Sequence, residues 1–256
     1  MKVIHVADIH IGATSDILLE AARKAISEQV GELVVVSGDL TQRGSQREFQ
    51  KAREWVDALE LPAIVVPGNH DTPLLHAGHR LTRPFARYTD YFGDLTRPLE
   101  VDHIGVFPLN TARGWQTRAN WAEGSVRLSH LDEVIAAASA HPGMSILTCH
   151  HPFTSLPGAG LRTRTRRGEI ASLRLAESAV RLLLTGHVHT PHAERIDHET
   201  GSYIAVSAGT LSHRLRKSPP GFNVLDITPE NVWVTPFSYE DDSFKALQAT
   251  AFRGAV

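Results

Sequence analysis

Four successive apolar residues, Leu33-Val34-Val35-Val36, lie between two stretches whose apolar residues recur at helical spacing. A strand that is apolar at every position is buried on both faces, so it needs a covering layer above and below. In the stretch before it, residues 15–30, Leu18, Ala21, Ala22, Ala25 and Ile26 form one helical stripe, with Glu20 and Lys24 spaced to pair at i,i+4. In the stretch after it, Phe49, Ala52, Trp55, Val56 and Leu59 form a second stripe. Residues 3–7 and 63–66 read as two more strands. Alternation of strand and helix predicts βαβ units and a largely parallel sheet.

The pattern weakens over residues 72–98, where Pro84 followed by Phe85, Tyr88, Tyr91 and Phe92 suggests a short helix with an aromatic stripe. Such stripes are usually core; stacking on a substrate base is the lesser alternative. Strands follow at 104–109, 145–149 and 180–185, with a helix from about Leu131 capped by Ser129 and with Asp132 three residues on. The last third, at 203–207, 222–227 and 232–237, reads as strands joined by Gly/Pro turns. It suits a second, more antiparallel sheet packed on the first. No repeat, low-complexity linker or composition break interrupts the chain, so one domain over residues 1–256 is expected.

Composition narrows the function. A hydrophobic content of 42% supports a real core, and a net charge of −2 supplies no global attraction for nucleic acid or an anionic membrane. A single cysteine, Cys149, rules out an internal disulfide and a thiolate-rich zinc site. No stretch approaches the ~20 apolar residues that span a bilayer, and the first residues lack a signal-peptide core. A soluble, cytoplasmic protein without a membrane partner is expected, free to associate with copies of itself. Histidine is abundant, at 15 residues, and it is the commonest metal ligand.

Where the histidines fall is informative. Asp8 and His10 follow the first strand, Asp39 the second, Asn69, His70 and Asp71 the third. His150 and His151 follow strand 145–149, and His187 and His189 follow strand 180–185. Ligands in open α/β sheets bind outside the carboxyl ends of the strands, so these sets can converge. Residues two apart in an extended segment face the same side, so Asp8/His10 and His187/His189 each offer two ligands in one direction. Carboxylate, amide oxygen and imidazole without thiolate suit Mn, Fe, Zn, Co or Ni. The ligands are too many for one ion; two ions sharing a carboxylate use them well.

The blocks ADIH at 7–10, GD at 38–39, GNHD at 68–71, HH at 150–151 and GHVH at 186–189 resemble those of the calcineurin-like metallophosphoesterases. The resemblance implies two packed mixed β-sheets flanked by helices, a four-layer α-β-β-α sandwich in the α/β class. It implies two divalent or trivalent transition metal ions, one held by Asp8, His10, Asp39 and His189. The other is held by Asp39, Asn69, His150 and His187, with Asp39 bridging. His150 is preferred to His151 because the family ligand directly follows its strand. His70 matches the catalytic histidine, a general acid for the leaving group. Arg43 keeps the position of a phosphate-binding arginine in the protein phosphatase branch, but the aspartate that orients the catalytic histidine there is Gln42 here. That departure speaks against a protein phosphatase, and leaves either Asp71 or a more distant carboxylate to orient His70, or a less basic His70.

The implied reaction is hydrolysis of a phosphodiester by in-line attack of a metal-bridging hydroxide. Size and short loops look most like the bacterial branch that includes class III cyclic nucleotide phosphodiesterases. A small phosphodiester of the 3′,5′-cyclic AMP type is the first expectation. A glycerophosphodiester or another small diester comes next, or a nuclease, with nucleic acid not favoured. A non-enzymatic scaffold would have lost ligands that are all present here. Asn110, Thr111 and Arg113 after strand 104–109, and Arg162 and Arg164 in the loop 161–169, are candidate substrate contacts; with Arg166 and Arg167 that loop reads as a basic rim that steers an anion or as a solvated surface. A second basic run follows at 213–217.

Overall fold

The computed structural model describes residues 1–73, 77–115, 120, 122–155 and 165–254. The chain begins with β1 (Lys2–Val6), α1 (Asp16–Ser27), β2 (Leu33–Ser37), α2 (Gln46–Asp57) and β3 (Ala63–Val66). Then come α3 (Ala77–Thr82), α4 (Ala86–Phe92), β4 (Leu99–Val101), β5 (Ile104–Pro108), α5 (Leu128–Ala140), β6 (Met144–Thr148), α6 (Gly168–Ala176) and β7 (Leu182–Thr185). The remainder is β8 (His192–His198), β9 (Gly201–Ser207), β10 (Gly221–Ile227), β11 (Asn231–Glu240), β12 (Ser243–Ala246) and β13 (Thr250–Arg253).

Side-chain alternation in the apolar runs builds the layers. Ile4, Val6, Val34 and Val36 pack under α1 and α2 with Ala22, Ile26, Phe49 and Trp55. Their neighbours Val3, Leu33 and Val35 point the other way and meet Ile104, Ile146, Leu182 and Leu184 of the second sheet. Leu147 and Leu183, on the far face of that sheet, pack against Leu131 and Val134 of α5 and Leu175 of α6. The order is helix, sheet, sheet, helix, the four-layer sandwich that the motif blocks imply, and period-two alternation is its cause.

Among the described residues one sheet runs β12-β11-β10-β1-β2-β3, with β13 also on β11, and the other runs β4-β5-β6-β7-β9-β8. β1, β2 and β3 are parallel, with Val3 opposite Leu33 and Val34 opposite Ala63. β5, β6, β7 and β9 are parallel as well. The strands of the last third therefore do not form an antiparallel sheet of their own. β10 closes the open edge of β1 antiparallel, while β9 extends the second sheet beside β7. The physical reason is burial: Phe222 and Val224 enter the helix-facing core and Leu225 and Ile227 the inter-sheet core, so β10 has to lie inside the first sheet.

Local signals hold with small shifts. Ser15 caps α1 by accepting from the Leu18 N–H, and Ser45 with Glu48 forms a capping box on α2. Glu20 pairs with Arg23 rather than Lys24. Helix α5 starts at Leu128, and Arg127, not Ser129, occupies its cap position. Tyr88 of α4 is buried with its hydroxyl donating to the Val65 carbonyl, and Tyr91 stacks on Phe49, so the aromatic stripe is core. No helix of the described residues is long and apolar enough to cross a membrane.

Candidate metal centre

The carboxyl ends of β1, β2, β3, β6 and β7 deliver Asp8, His10, Asp39, Asn69, His70, His150, His187 and His189 to one edge of the sandwich. The chain turns abruptly there. Asp8, His10, Asp39, His187 and His189 all have φ between 45° and 71°, a left-handed conformation that costs a non-glycine residue roughly 1–2 kcal/mol. Strain of this kind persists where the surrounding structure fixes it, and it concentrates at functional sites. Two neighbouring glycines have no room for a side chain. A Cβ on Gly68 would lie 2.1 Å from Asp39 Oδ1, and one on Gly186 would lie 2.7 Å from Asp8 Oδ2.

Two clusters result. In the first, His189 Nε2 lies 3.1 Å from Asp8 Oδ1 and 3.2 Å from His10 Nε2. In the second, His150 Nε2 lies 3.3 Å from Asp39 Oδ2. Asp39 Oδ2 also stands 3.7 Å from His10 Nε2, so Asp39 belongs to both. Asn69 opens the single 3₁₀ turn after β3. Within that turn's segment, His70 donates its N–H to Asp39 Oδ1 at 2.8 Å.

Ring nitrogens separate the two adjacent histidines. His150 donates from Nδ1 to the Ser37 carbonyl at 2.9 Å and leaves Nε2 without a hydrogen bond. His151 donates from Nε2 to the Ala122 carbonyl, and its Nδ1 meets the Thr111 hydroxyl at 2.9 Å. Both ring nitrogens are thus engaged, so His151 has no lone pair to spare, and burial with the neighbouring His187 holds it neutral, well below the usual imidazole range. His189 is set like His150, with Nδ1 donating to the Arg214 carbonyl at 2.6 Å. Backbone carbonyls thus fix the tautomer and aim Nε2 inward, the usual support of a metal-bound imidazole.

The electrostatics suit a cation. Burial works against the charge on Asp39, but His150 and His10 beside it outweigh burial and hold the carboxyl well below the ordinary range. Burial also opposes a proton on His150, yet Asp39 and Asp8 raise it to about 9. Burial pulls His187 down to about 3 and His10 to about 4. Burial, with Asp39 near, pushes Asp71 up to about 7. The residues present fit metal ions by a direct test: Asp8 Oδ1, Asn69 Oδ1 and His150 Nε2 are buried and make no hydrogen bond. Buried polar atoms left unpaired are costly unless something else coordinates them.

A model of the calcineurin-like phosphoesterase family matches residues 1–191. The chain belongs to that family. This phosphoesterase is 24% identical to a probable cyclic nucleotide phosphodiesterase of Synechococcus, over 84% of this chain and 80% of the relative. It is 27% identical to a probable glycerophosphodiester phosphodiesterase of Arcobacter nitrofigilis, over 62% of this chain but only 56% of that one. A dimetal phosphatase from Danio rerio shares the fold with a TM-score of 0.66 at 12% identity, covering 99% of each chain. The protein is a metal-dependent phosphoester hydrolase.

Other sequence candidates have different places. Asp71, a candidate orienter of His70, spends its carboxylate on the N–H groups of Leu40, Thr41 and Gly68 and on the Thr41 hydroxyl. His70 instead donates from Nδ1 to the Gln42 carbonyl at 2.8 Å. Asn110 accepts from Ala112 N–H with its side chain, and Arg113 donates to the Ser125 carbonyl. Arg43 is exposed, one residue from the carbonyl that holds His70. Arg162 and Arg164 lie outside the described residues. Sequence reading missed the carbonyls of Ser37, Gln42 and Arg214, for which no side-chain signal exists. It also missed Thr210, whose hydroxyl donates to the Asp8 carbonyl at 2.6 Å.

Proposed function

We propose that this phosphoesterase is a two-metal phosphodiesterase of small phosphodiesters, with a 3′,5′-cyclic nucleotide as the first substrate. The observation that carries the reading is Asp39 lying within reach of two ligand clusters, amid buried polar atoms without hydrogen bonds. Asp8, His10, Asp39 and His189 would hold one ion, and Asp39, Asn69, His150 and His187 the other. Imidazole and carboxylate ligands without thiolate favour Mn, Fe, Zn, Co or Ni. When bound, two such ions lower the pKa of water and neutralise the non-bridging oxygens of the substrate.

His70 supplies what the ligands do not. Its Nδ1 is committed to the Gln42 carbonyl, so the proton it gives to a leaving alkoxide resides on Nε2. Its ring lies edge-on to His10 at 4.8 Å, beside the first cluster. The cyclic nucleotide preference is supported by the name of the Synechococcus relative. The name of the Arcobacter relative supports a glycerophosphodiester as the second reading. One core fills the space between the two sheets, which supports reading residues 1–256 as a single domain. The test is a panel of chromogenic mono- and diesters, cyclic nucleotides, glycerophosphodiesters and single-stranded DNA assayed with Mn²⁺. Turnover confined to monoesters or to DNA would sink the proposal.

A further inference from the structure

Beside the candidate metal centre, four arginines gather about one short segment, and among the described residues none of them forms a salt bridge with a carboxylate. Arg113, beyond the end of β5, is half-buried and donates from Nη2 to the Ser125 carbonyl at 3.3 Å. Arg166 brackets the same residue, donating its N–H to the Gly124 carbonyl and accepting from the Val126 N–H. Arg127 and Arg167 come next along these two segments. Among the described residues no salt bridge joins any of these four to Asp or Glu; the exposed arginines that do pair are Arg23, Arg53 and Arg174. Stretches 116–119, 121 and 156–164, outside the described residues, contain no Asp or Glu either.

A half-buried guanidinium among like charges is unfavourable by desolvation and by repulsion. Burial first, then Arg127, Arg167 and Arg166, pull the Arg113 guanidinium below its usual range. An anion reverses both costs, and the planar fork of arginine suits phosphate oxygens. The cluster also sits at the right edge. Thr111, two residues before Arg113, accepts from Ser125 N–H with its carbonyl and meets His151 Nδ1 with its hydroxyl. The His151 ring lies 4.6 Å from the rings of both His150 and His187.

We propose that Arg113, Arg127, Arg166 and Arg167 form a second anion subsite, which takes a phosphate of the substrate other than the one hydrolysed. This deepens the phosphodiesterase reading and rests on it. Within that reading, a nucleotide diester that bears a further terminal phosphate gains this contact in addition to those at the hydrolysed phosphate. A cyclic mononucleotide, with one phosphate, leaves the subsite unfilled.

Two measurements test it. In the zinc-loaded full chain with ¹⁵N-labelled arginine, inorganic sulfate should shift the Arg113 Nε–H resonance saturably. The exposed double variant R127Q/R166Q should weaken that binding by about tenfold or more, the factor one charge-assisted hydrogen bond is worth. In Mn²⁺ assays, a dinucleoside monophosphate carrying a 5′-phosphate should have a kcat/KM roughly tenfold above the same compound without it. That ratio should fall to near one in R113Q and in R127Q/R166Q. An Arg113 resonance that does not move, or moves only linearly with sulfate, overturns the subsite even if diesters are turned over. A saturable shift with a kcat/KM ratio near one in the unaltered enzyme overturns its role toward substrate. A saturable shift with no diester hydrolysis at all overturns the phosphodiesterase reading instead.

Discussion

His70 Nδ1 lies 2.8 Å from the backbone carbonyl of Gln42, so the imidazole beside the ligand clusters is held by the main chain and not by a carboxylate. The Gln42 side chain is engaged elsewhere, accepting from Arg214 Nη1 at 3.0 Å. Replacing that side chain leaves the acceptor of His70 in place. Gln42→Ala should therefore keep kcat/KM within about threefold, since the main-chain acceptor of His70 is unchanged. A loss of a hundredfold would show that the side chain, not the carbonyl, positions His70.

His70→Ala should leave metal content intact while turnover falls. The fall should be roughly 10²–10⁴-fold for esters with alkoxide leaving groups, the scale of general acid catalysis. For p-nitrophenyl esters, which need little protonation, it should be small. Equal losses on both kinds of ester would count against a proton donor.

Asp39 stands 3.3 Å from His150 and 3.7 Å from His10, one in each cluster. Asp39→Ala should lose both ions and all turnover. Elemental analysis that still found two metals per chain would refute the bridge.

Gly68→Ala would place a Cβ 2.1 Å from Asp39 Oδ1 in a buried corner. Relief requires Asp39 to move. A destabilisation of about 1–3 kcal/mol is expected from overpacking, together with weakened metal binding. Denaturant melts and metal titrations read the two effects, and unchanged metal affinity would show that Asp39 tolerates the shift.

Metal binding should release protons. In the metal-free protein His150, raised to about 9 by Asp39 and Asp8 against burial, carries a proton at pH 7. A metal ion takes the lone pair that proton occupies. Affinity should therefore rise with pH until about 9 and flatten above it. Calorimetric heats in two buffers of different ionisation enthalpy should differ by about one proton or more per chain. Identical heats would mean that His150 is neutral or is not a ligand.

The sequence by itself determined the layers and the position of the site. Apolar runs such as Leu33-Val34-Val35-Val36 force burial on both faces, and each run that ends in Asp, Asn or His puts a candidate ligand at a strand's carboxyl end. Those are local properties of side-chain order. Tertiary structure alone decided which strands close which sheet. Edge pairing of β10 with β1 joins residues more than 200 positions apart, and no local pattern encodes it. Tertiary structure likewise separates His150 from His151. Side by side in sequence and alike in chemistry, they differ because Ser37 offers a carbonyl to one ring while Thr111 and Ala122 occupy both nitrogens of the other. The same holds for Gln42 and Arg214, whose main-chain carbonyls orient His70 and His189: every residue has a carbonyl, so only the fold determines which ones face the site.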